Sequence, residues 1–273
     1  MSTAATTMTG PNASAKAEAS RGATAADAVR EYRRRGIRPL AAARAFGRLV
    51  KDKDDTVQVF EIMNALSGMA TPNGYLKLSR VAGDVAFQRE ELAEKFRDPA
   101  WLAGFAPGTV GAAYREFMTR TNFSVDALAE DNRSISPFID APHVFAWYGR
   151  RLRDIHDVWH VLTGYSCDVL GEACLVTFSW AQTGNLGFGF IGVAGAFRIR
   201  KGFPSVPARR AVWEAWCNGR KARWLPAVDY EKLFAEPLET ARERLGIATP
   251  TVYFSVPEET RTRLSFRGMA PKV

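Results

Sequence analysis

Apolar residues recur along most of this chain at helical spacing. Phe46, Leu49 and Val50 share one side of a segment that has Pro39 in its first turn. Val57, Phe60, Met63 and Leu66 hold the same period in the next segment, so helices are predicted from Ala26 to Ser67. Asp54 or Asp55 is placed to cap the second of these, and Gly68 to end it. Further helical patterns run from Glu90 to Phe96, Pro107 to Met118, Ser124 to Glu130 and Val144 to Leu162, where Gly164 is the stop. Another begins near Asp168, continues to about Gln182 and is broken by Thr183-Gly184-Asn185; Tyr230 to Leu245 reads as a final amphipathic helix. Only Thr251 to Val256 has the look of a strand. Long helical patterns with short punctuated connections predict an all-α fold. The expected organisation is a disordered tail over residues 1–26 followed by a single multi-helix domain over residues 27–273.

The tail is assigned by composition. Met1 to Ala26 is mostly Ala, Ser and Thr without an aromatic residue, too little apolar surface to offset the entropy of ordering. It lacks the apolar core of a secretory signal, and Glu18 and Asp27 interrupt its weak likeness to a mitochondrial presequence, so a bacterial cytoplasmic protein is the simpler expectation. The remainder, in a chain of 273 residues that is 47% hydrophobic, is long enough to bury a sizeable core. No apolar run reaches the roughly 18 residues of a membrane-spanning helix. Cys167, Cys174 and Cys217 form neither an even framework nor a CxxC pair, and read as buried free thiols in a reducing compartment.

Charge changes this picture more than composition does. Of the net +8, a surplus of seven sits between Arg198 and Arg223, where eight basic residues face one acid, Glu214. A second basic group runs from Arg30 to Lys53 and includes Arg33-Arg34-Arg35 and Arg38. Nucleic acid, anionic lipid and phosphorylated substrates all suit such patches, as does plain solvation. Just ahead of the first patch lies LGFGFIGVAGAF, Leu186 to Phe197, twelve apolar and glycine-rich residues that are too short to span a bilayer. Two readings compete for it. It is a core helix packed closely through its small residues, or it is a wall for a long apolar ligand, with Leu186, Phe188, Phe190 and Ile191 lining it and Arg198 reaching an anionic head group. Trp213 and Trp216 either pack inside or sit at such an interface.

Candidate chemistry centres on His156-Asp157-Val158-Trp159-His160 and on Glu172. Histidines four apart on a helix lie about 40° from each other around its axis, and Asp157 lies about 100° from His156, so all three can face one space. Glu172 would enter from the helix that starts near Asp168. Two imidazoles and two carboxylates suit zinc or ferrous iron, and the set lacks the thiolates of many closed structural zinc sites. The chain has only three histidines, and two of them stand in this pattern; His143, beside Pro142, has no comparable partner. A zinc protease of the HExxH kind is not the expected reading, because Asp157 follows the first histidine where that motif has its glutamate base. The adjacent His-Asp pair also suggests a metal-dependent phosphohydrolase, which would require His143 as an upstream ligand and a further distant aspartate.

The run Arg151-Leu152-Arg153-Asp154-Ile155-His156-Asp157-Val158-Trp159-His160, with Gly164, Leu170-Gly171-Glu172 and Gln182-Thr183-Gly184, closely resembles coenzyme Q biosynthesis protein 4, whose signature is HDxxH, eleven residues, E. Gly108-Thr109-Val110-Gly111-Ala112-Ala113-Tyr114 resembles that family's GTxGxxY segment, and Trp224-Leu225-Pro226 with Leu238 to Ile247 resembles its closing helix. The likeness covers roughly residues 28–250. It departs at Leu152, where the family has tyrosine, and at Val176 and Ser179, where lysine and glutamate are common. The resemblance implies a mostly helical protein of ubiquinone assembly, peripheral on a membrane, with His156, Asp157, His160 and Glu172 holding zinc or, alternatively, iron. It implies either removal of the C1 carboxyl from a polyprenylated hydroxybenzoate precursor, with or without hydroxylation in the same step, or a non-catalytic lipid-binding scaffold that organises the other ubiquinone-biosynthesis enzymes. The expected partners are therefore a polyprenylated benzoate or quinone precursor, a membrane surface and those enzymes, with a homodimer as a further candidate and no nucleic acid. The bacterial inner membrane is the expected location, with the matrix side of the mitochondrial inner membrane as the alternative.

Overall fold

The computed structural model describes residues 36–51, 55–82, 91–121, 129–132, 134, 139–140 and 143–264. The tail assigned to residues 1–26, Asp54 and most of Ser124 to Glu130 lie outside these residues. The fold is all-α, as the periodicity predicts. In chain order the helices are α1 (Pro39–Lys51), α2 (Thr56–Leu66), α3 (Ala70–Ala82), α4 (Leu92–Arg97), α5 (Pro99–Ala103) and α6 (Val110–Thr121). There follow α7 (Val144–Asp154), α8 (His156–Thr163), α9 (Val169–Thr183), α10 (Leu186–Gly202) and α11 (Ala208–Lys221). A 3-10 turn (Leu225–Ala227) leads to α12 (Tyr230–Phe234), α13 (Leu238–Leu245), α14 (Thr251–Phe254) and α15 (Glu258–Arg263).

Helix α9 is the centre of the molecule. Ten of its fifteen residues are buried, among them Leu170, Cys174, Leu175 and Phe178, so it is apolar all round and must be surrounded. It packs chiefly on α10 and α11, and each fully buried Leu or Phe contributes about 1.5–3 kcal/mol. Asp168 fixes its start by accepting hydrogen bonds from Leu170 N (3.0 Å) and Gly171 N (2.9 Å). Gly184 in the left-handed conformation ends it, and Asn185 immediately caps α10. At its far end Gln182 ties three segments together. Its Nε2 donates to Gly219 O (2.6 Å), its Oε1 accepts from Leu225 N (2.8 Å), and its backbone carbonyl accepts from Trp224 Nε1 (2.9 Å).

The glycines of α10 do what a core helix requires. A Cβ on Gly192 would stand 2.0 Å from Thr177 Oγ1 and 2.9 Å from Ala173 O, so only glycine lets α10 lie this close to α9. A smaller cluster, Ala42, Ala45, Ile62, Ala65 and Leu66 from the α1–α2 pair, covers Phe190 and Ile191.

Several elements differ from expectation. Thr251 to Val256 is not a strand. Its first four residues form α14, because Pro250 precedes them and the Glu214 carboxylate on α11 accepts from Thr251 N (3.2 Å) and Val252 N (2.8 Å), binding the first amides of a helix. Val144 to Leu162 is two helices that part at Ile155. Tyr230 to Leu245 is likewise two, separated at Pro237, and neither is the last. Asp55 holds the N-cap position of α2, but its carboxylate accepts from Gln58 Nε2 (2.9 Å) and makes no cap bond.

Candidate metal centre

Helix α8 carries three of the four signature residues, and its neighbours fix where they point. At its C-terminal end Gly164 takes φ 78°, and Arg242 from α13 donates from Nε to Leu162 O (2.9 Å) and from Nη2 to Val161 O (3.0 Å). On another side Trp159 Nε1 donates to Tyr230 Oη (2.7 Å), which in turn donates to Leu225 O (3.1 Å). The GTxGxxY-like segment anchors α6 beside it. Val110 N donates to Glu236 O, Leu238 N donates to Gly108 O (both 2.9 Å), and Thr109 bridges Pro237. Two turns into α6, Phe117 stacks on the His160 ring with centroids 5.3 Å apart.

These anchors bring the signature residues together. The rings of His156 and His160 lie 5.1 Å apart, edge to face. Glu172, in the first turn of α9, places one carboxylate oxygen 3.8 Å from His156 Nε2 and the other 3.2 Å from His160 Nε2. His160 Nδ1 stands 2.9 Å from Tyr165 O; the bond requires a proton on Nδ1 and leaves Nε2 as the free lone pair. That Nε2 is buried and, in this tautomer, has no donor: it faces the Glu172 carboxylate, itself an acceptor, at 3.2 Å. A buried acceptor without a donor is costly in a protein, and a cation between imidazole and carboxylate removes the cost. The donor set therefore fits a divalent metal.

Electrostatics divides the two carboxylates. Burial pushes Asp157 above the usual aspartate range, opposed by His156 and His160 and reinforced by Glu172. Burial would raise Glu172 too, but His160 and His156 outweigh it and hold Glu172 well below the ordinary glutamate range. Burial works against charge on His160, but the Glu172 carboxylate prevails and raises it. Among the described residues the ligand atoms fall into two groups that share His160: His156, Asp157 and His160, and then His160, Cys167 and Glu172, each within 4.8 Å of one another. Sequence reading treated Cys167 as a small core residue and the set as free of thiols. The structure puts that thiol beside Glu172, and only the fold of the connecting loop could have revealed it. Tyr114 was likewise unassigned; its buried hydroxyl lacks a partner and feels the charges of Asp157 and Asp154. His143, the third histidine, is structural: its Nδ1 accepts from Phe145 N (3.1 Å) and Ala146 N (3.2 Å) and caps α7.

The residues predicted to line an apolar wall are dispersed. Phe188 is buried, while Phe190 packs edge-on against Phe46. Ile191 covers the α1–α2 cluster, and Leu186 and Arg198 are exposed.

Residues 41–251 match the family described as coenzyme Q (ubiquinone) biosynthesis protein Coq4. The chain is 26% identical to the bovine (Bos taurus) ubiquinone biosynthesis protein COQ4 homolog, mitochondrial, over 213 residues, 77% of this chain and 78% of that protein. It is 27% identical to the human (Homo sapiens) homolog over 202 residues, 70% and 72% of the two chains. With the mouse (Mus musculus) homolog it shares 29% over 164 residues, 60% of this chain and 59% of that one. The crystal structure of a Nostoc punctiforme protein superposes with a TM-score of 0.55 at 21% identity, covering 78% of this chain and all of the other, a likeness of fold alone. A family match over residues 41–251, most of the chain, makes this protein a member of the Coq4 family of ubiquinone biosynthesis proteins.

Proposed function

We propose that this protein acts in ubiquinone biosynthesis as a metal-dependent decarboxylase that removes the C1 carboxyl from a polyprenylated hydroxybenzoate precursor. The observation that carries the reading is the buried His160 Nε2, with no donor to meet it, facing the Glu172 carboxylate at 3.2 Å, with His156 and Asp157 on the same helix. A divalent ion held by His156, Asp157, His160 and Glu172 would supply Lewis-acid stabilisation of the substrate's oxygens. The chain's own part is to hold that set rigid. The Tyr165 carbonyl fixes the His160 tautomer, Phe117 fixes its ring plane, and burial of His160 and Asp157 excludes water from one side. In the reaction the bond between ring carbon and carboxyl breaks, its electron pair stays with the ring, carbon dioxide leaves, and a proton takes its place.

The rival is a scaffold that binds lipid and partner enzymes without chemistry. In a strain lacking the gene, supplied with Asp157→Asn or Glu172→Gln, catalysis predicts accumulation of a prenylated intermediate that keeps its C1 carboxyl, while the partner enzymes remain assembled. Normal quinone with the metal lost would overturn the enzyme reading and leave the scaffold.

The substrate's apolar tail places the same reading at a membrane surface, since such a precursor does not travel through water. No described helix is long and apolar enough to cross a membrane. A mixed apolar and basic face on α10 and α11 supports surface attachment. Phe197 is 57% and Trp213 64% exposed, Arg209 lies over the Phe197 ring, Trp213 stacks on Trp216, and Arg220 lies over Trp216.

A further inference from the structure

The loop between α8 and α9, residues 164–168, is drawn inward. Gly164 turns it, Tyr165 gives its carbonyl to His160, and Asp168 gives its carboxylate to the first amides of α9. Ser166 O lies so close to α9 that a Cβ on Gly171 would stand 2.0 Å from it. Held at both ends, the loop keeps Cys167 95% buried, with a relative exposure of 5%. Its thiol is in no disulfide and lies within 4.8 Å of ligand atoms of His160 and Glu172. The buried His160 Nε2, which has no donor, faces the same Glu172 carboxylate at 3.2 Å.

Burial, then the charges of Glu172 and Asp157, keep this thiol protonated, its pKa pushed far above the usual thiol range. A divalent cation reverses both effects: it neutralises the carboxylates and binds sulfur only as thiolate, the proton leaving to solvent. The sulfur then adds a soft donor to a set otherwise made of nitrogen and oxygen, which favours zinc over harder ions. We propose that Cys167 is a ligand of this centre, completing with His160 Nε2 and the Glu172 carboxylate a nitrogen, oxygen and sulfur face for a zinc-like cation. This rests on the metal reading of the preceding subsection and goes beyond its four signature residues.

Cobalt(II) is the probe, added to the full chain after chelator treatment. The expected result is a sulfur-to-cobalt charge-transfer absorption that saturates at one equivalent. It persists in Cys217→Ser and is absent from Cys167→Ser, whose cobalt affinity falls at least roughly tenfold, the lower bound for loss of even an outer partner of a metal ligand. Should Cys167→Ser fail to fold, X-ray absorption of the zinc-loaded wild type answers alone: sulfur at about 2.3 Å supports the proposal, and a shell of nitrogen and oxygen only overturns it. Cobalt bound without the charge-transfer band also overturns it while the metal reading stands. A chain that binds neither cobalt nor zinc overturns both.

Discussion

His160 concentrates the centre's constraints in one ring, with a carbonyl on one nitrogen, a phenylalanine on its face and the Glu172 carboxylate before the other nitrogen. Replacing it with alanine removes the residue common to both ligand groups, so metal content measured on the purified protein should fall from about one equivalent to near zero. His143→Ala should leave metal content unchanged and cost only a helix cap, roughly 0.5–2 kcal/mol in denaturant unfolding. The contrast was half legible in the chain. The helical period placed His156, Asp157 and His160 where they can face one space, and Glu172 was expected from the helix that follows. Cys167 and Tyr114 escaped, because they reach the site through a loop and a separate helix whose approach no local period encodes. Gly171→Ala tests the loop directly. Its methyl has no room beside Ser166 O, and such overpacking costs about 1–3 kcal/mol of stability, here with a parallel loss of metal affinity.

Helix α8 borrows a partner for its last turn, where Arg242 of α13 donates to the carbonyls of Val161 and Leu162. Arg242→Met keeps most of the apolar stem but deprives Val161 O and Leu162 O of a charged donor. The expected loss is roughly 1–3 kcal/mol, read as a lower melting temperature, with weaker metal binding because the same helix carries the ligands. The existence of the helices was legible because apolar positions at 3.6-residue spacing persist from Pro39 to Leu245. Their interruptions were less so. Pro237 divides α12 from α13 because it lacks the N–H the helix needs, and α14 forms from a strand-like run because Glu214, thirty-seven residues earlier, reaches its first amides. That Glu214 is the one acid in the basic run also shows how a sequence tally misleads: this acid is spent on the α14 amides while the surrounding cations remain at the surface.

At the scale of the whole molecule, the glycine-rich helix α10 resolves into two sides. Gly192 lies against α9, as a core helix requires, and Val193 and Phe197 face outward next to the arginines of α11. The core-helix reading holds on the Gly192 side, and the period alone could not say which residues went where because α10 is apolar nearly all round. Because Phe197 and Trp213 are exposed, a Phe197→Ser, Trp213→Ser double variant should fold normally by circular dichroism. Its binding to liposomes containing anionic lipid should drop severalfold in flotation, and binding by the wild type should weaken as salt rises. Binding to duplex DNA in a gel shift, with anionic liposomes ignored, would assign the face to nucleic acid instead. The centre itself is lopsided: the side chains of His156 and Glu172 keep 21% and 22% exposure, whereas that of His160 keeps 1%. An ion held behind such a half-open ring can be reached by an incoming ligand before any protein ligand lets go. Exchange should then be associative, its rate rising in proportion to chelator concentration rather than levelling at the pace of a protein opening.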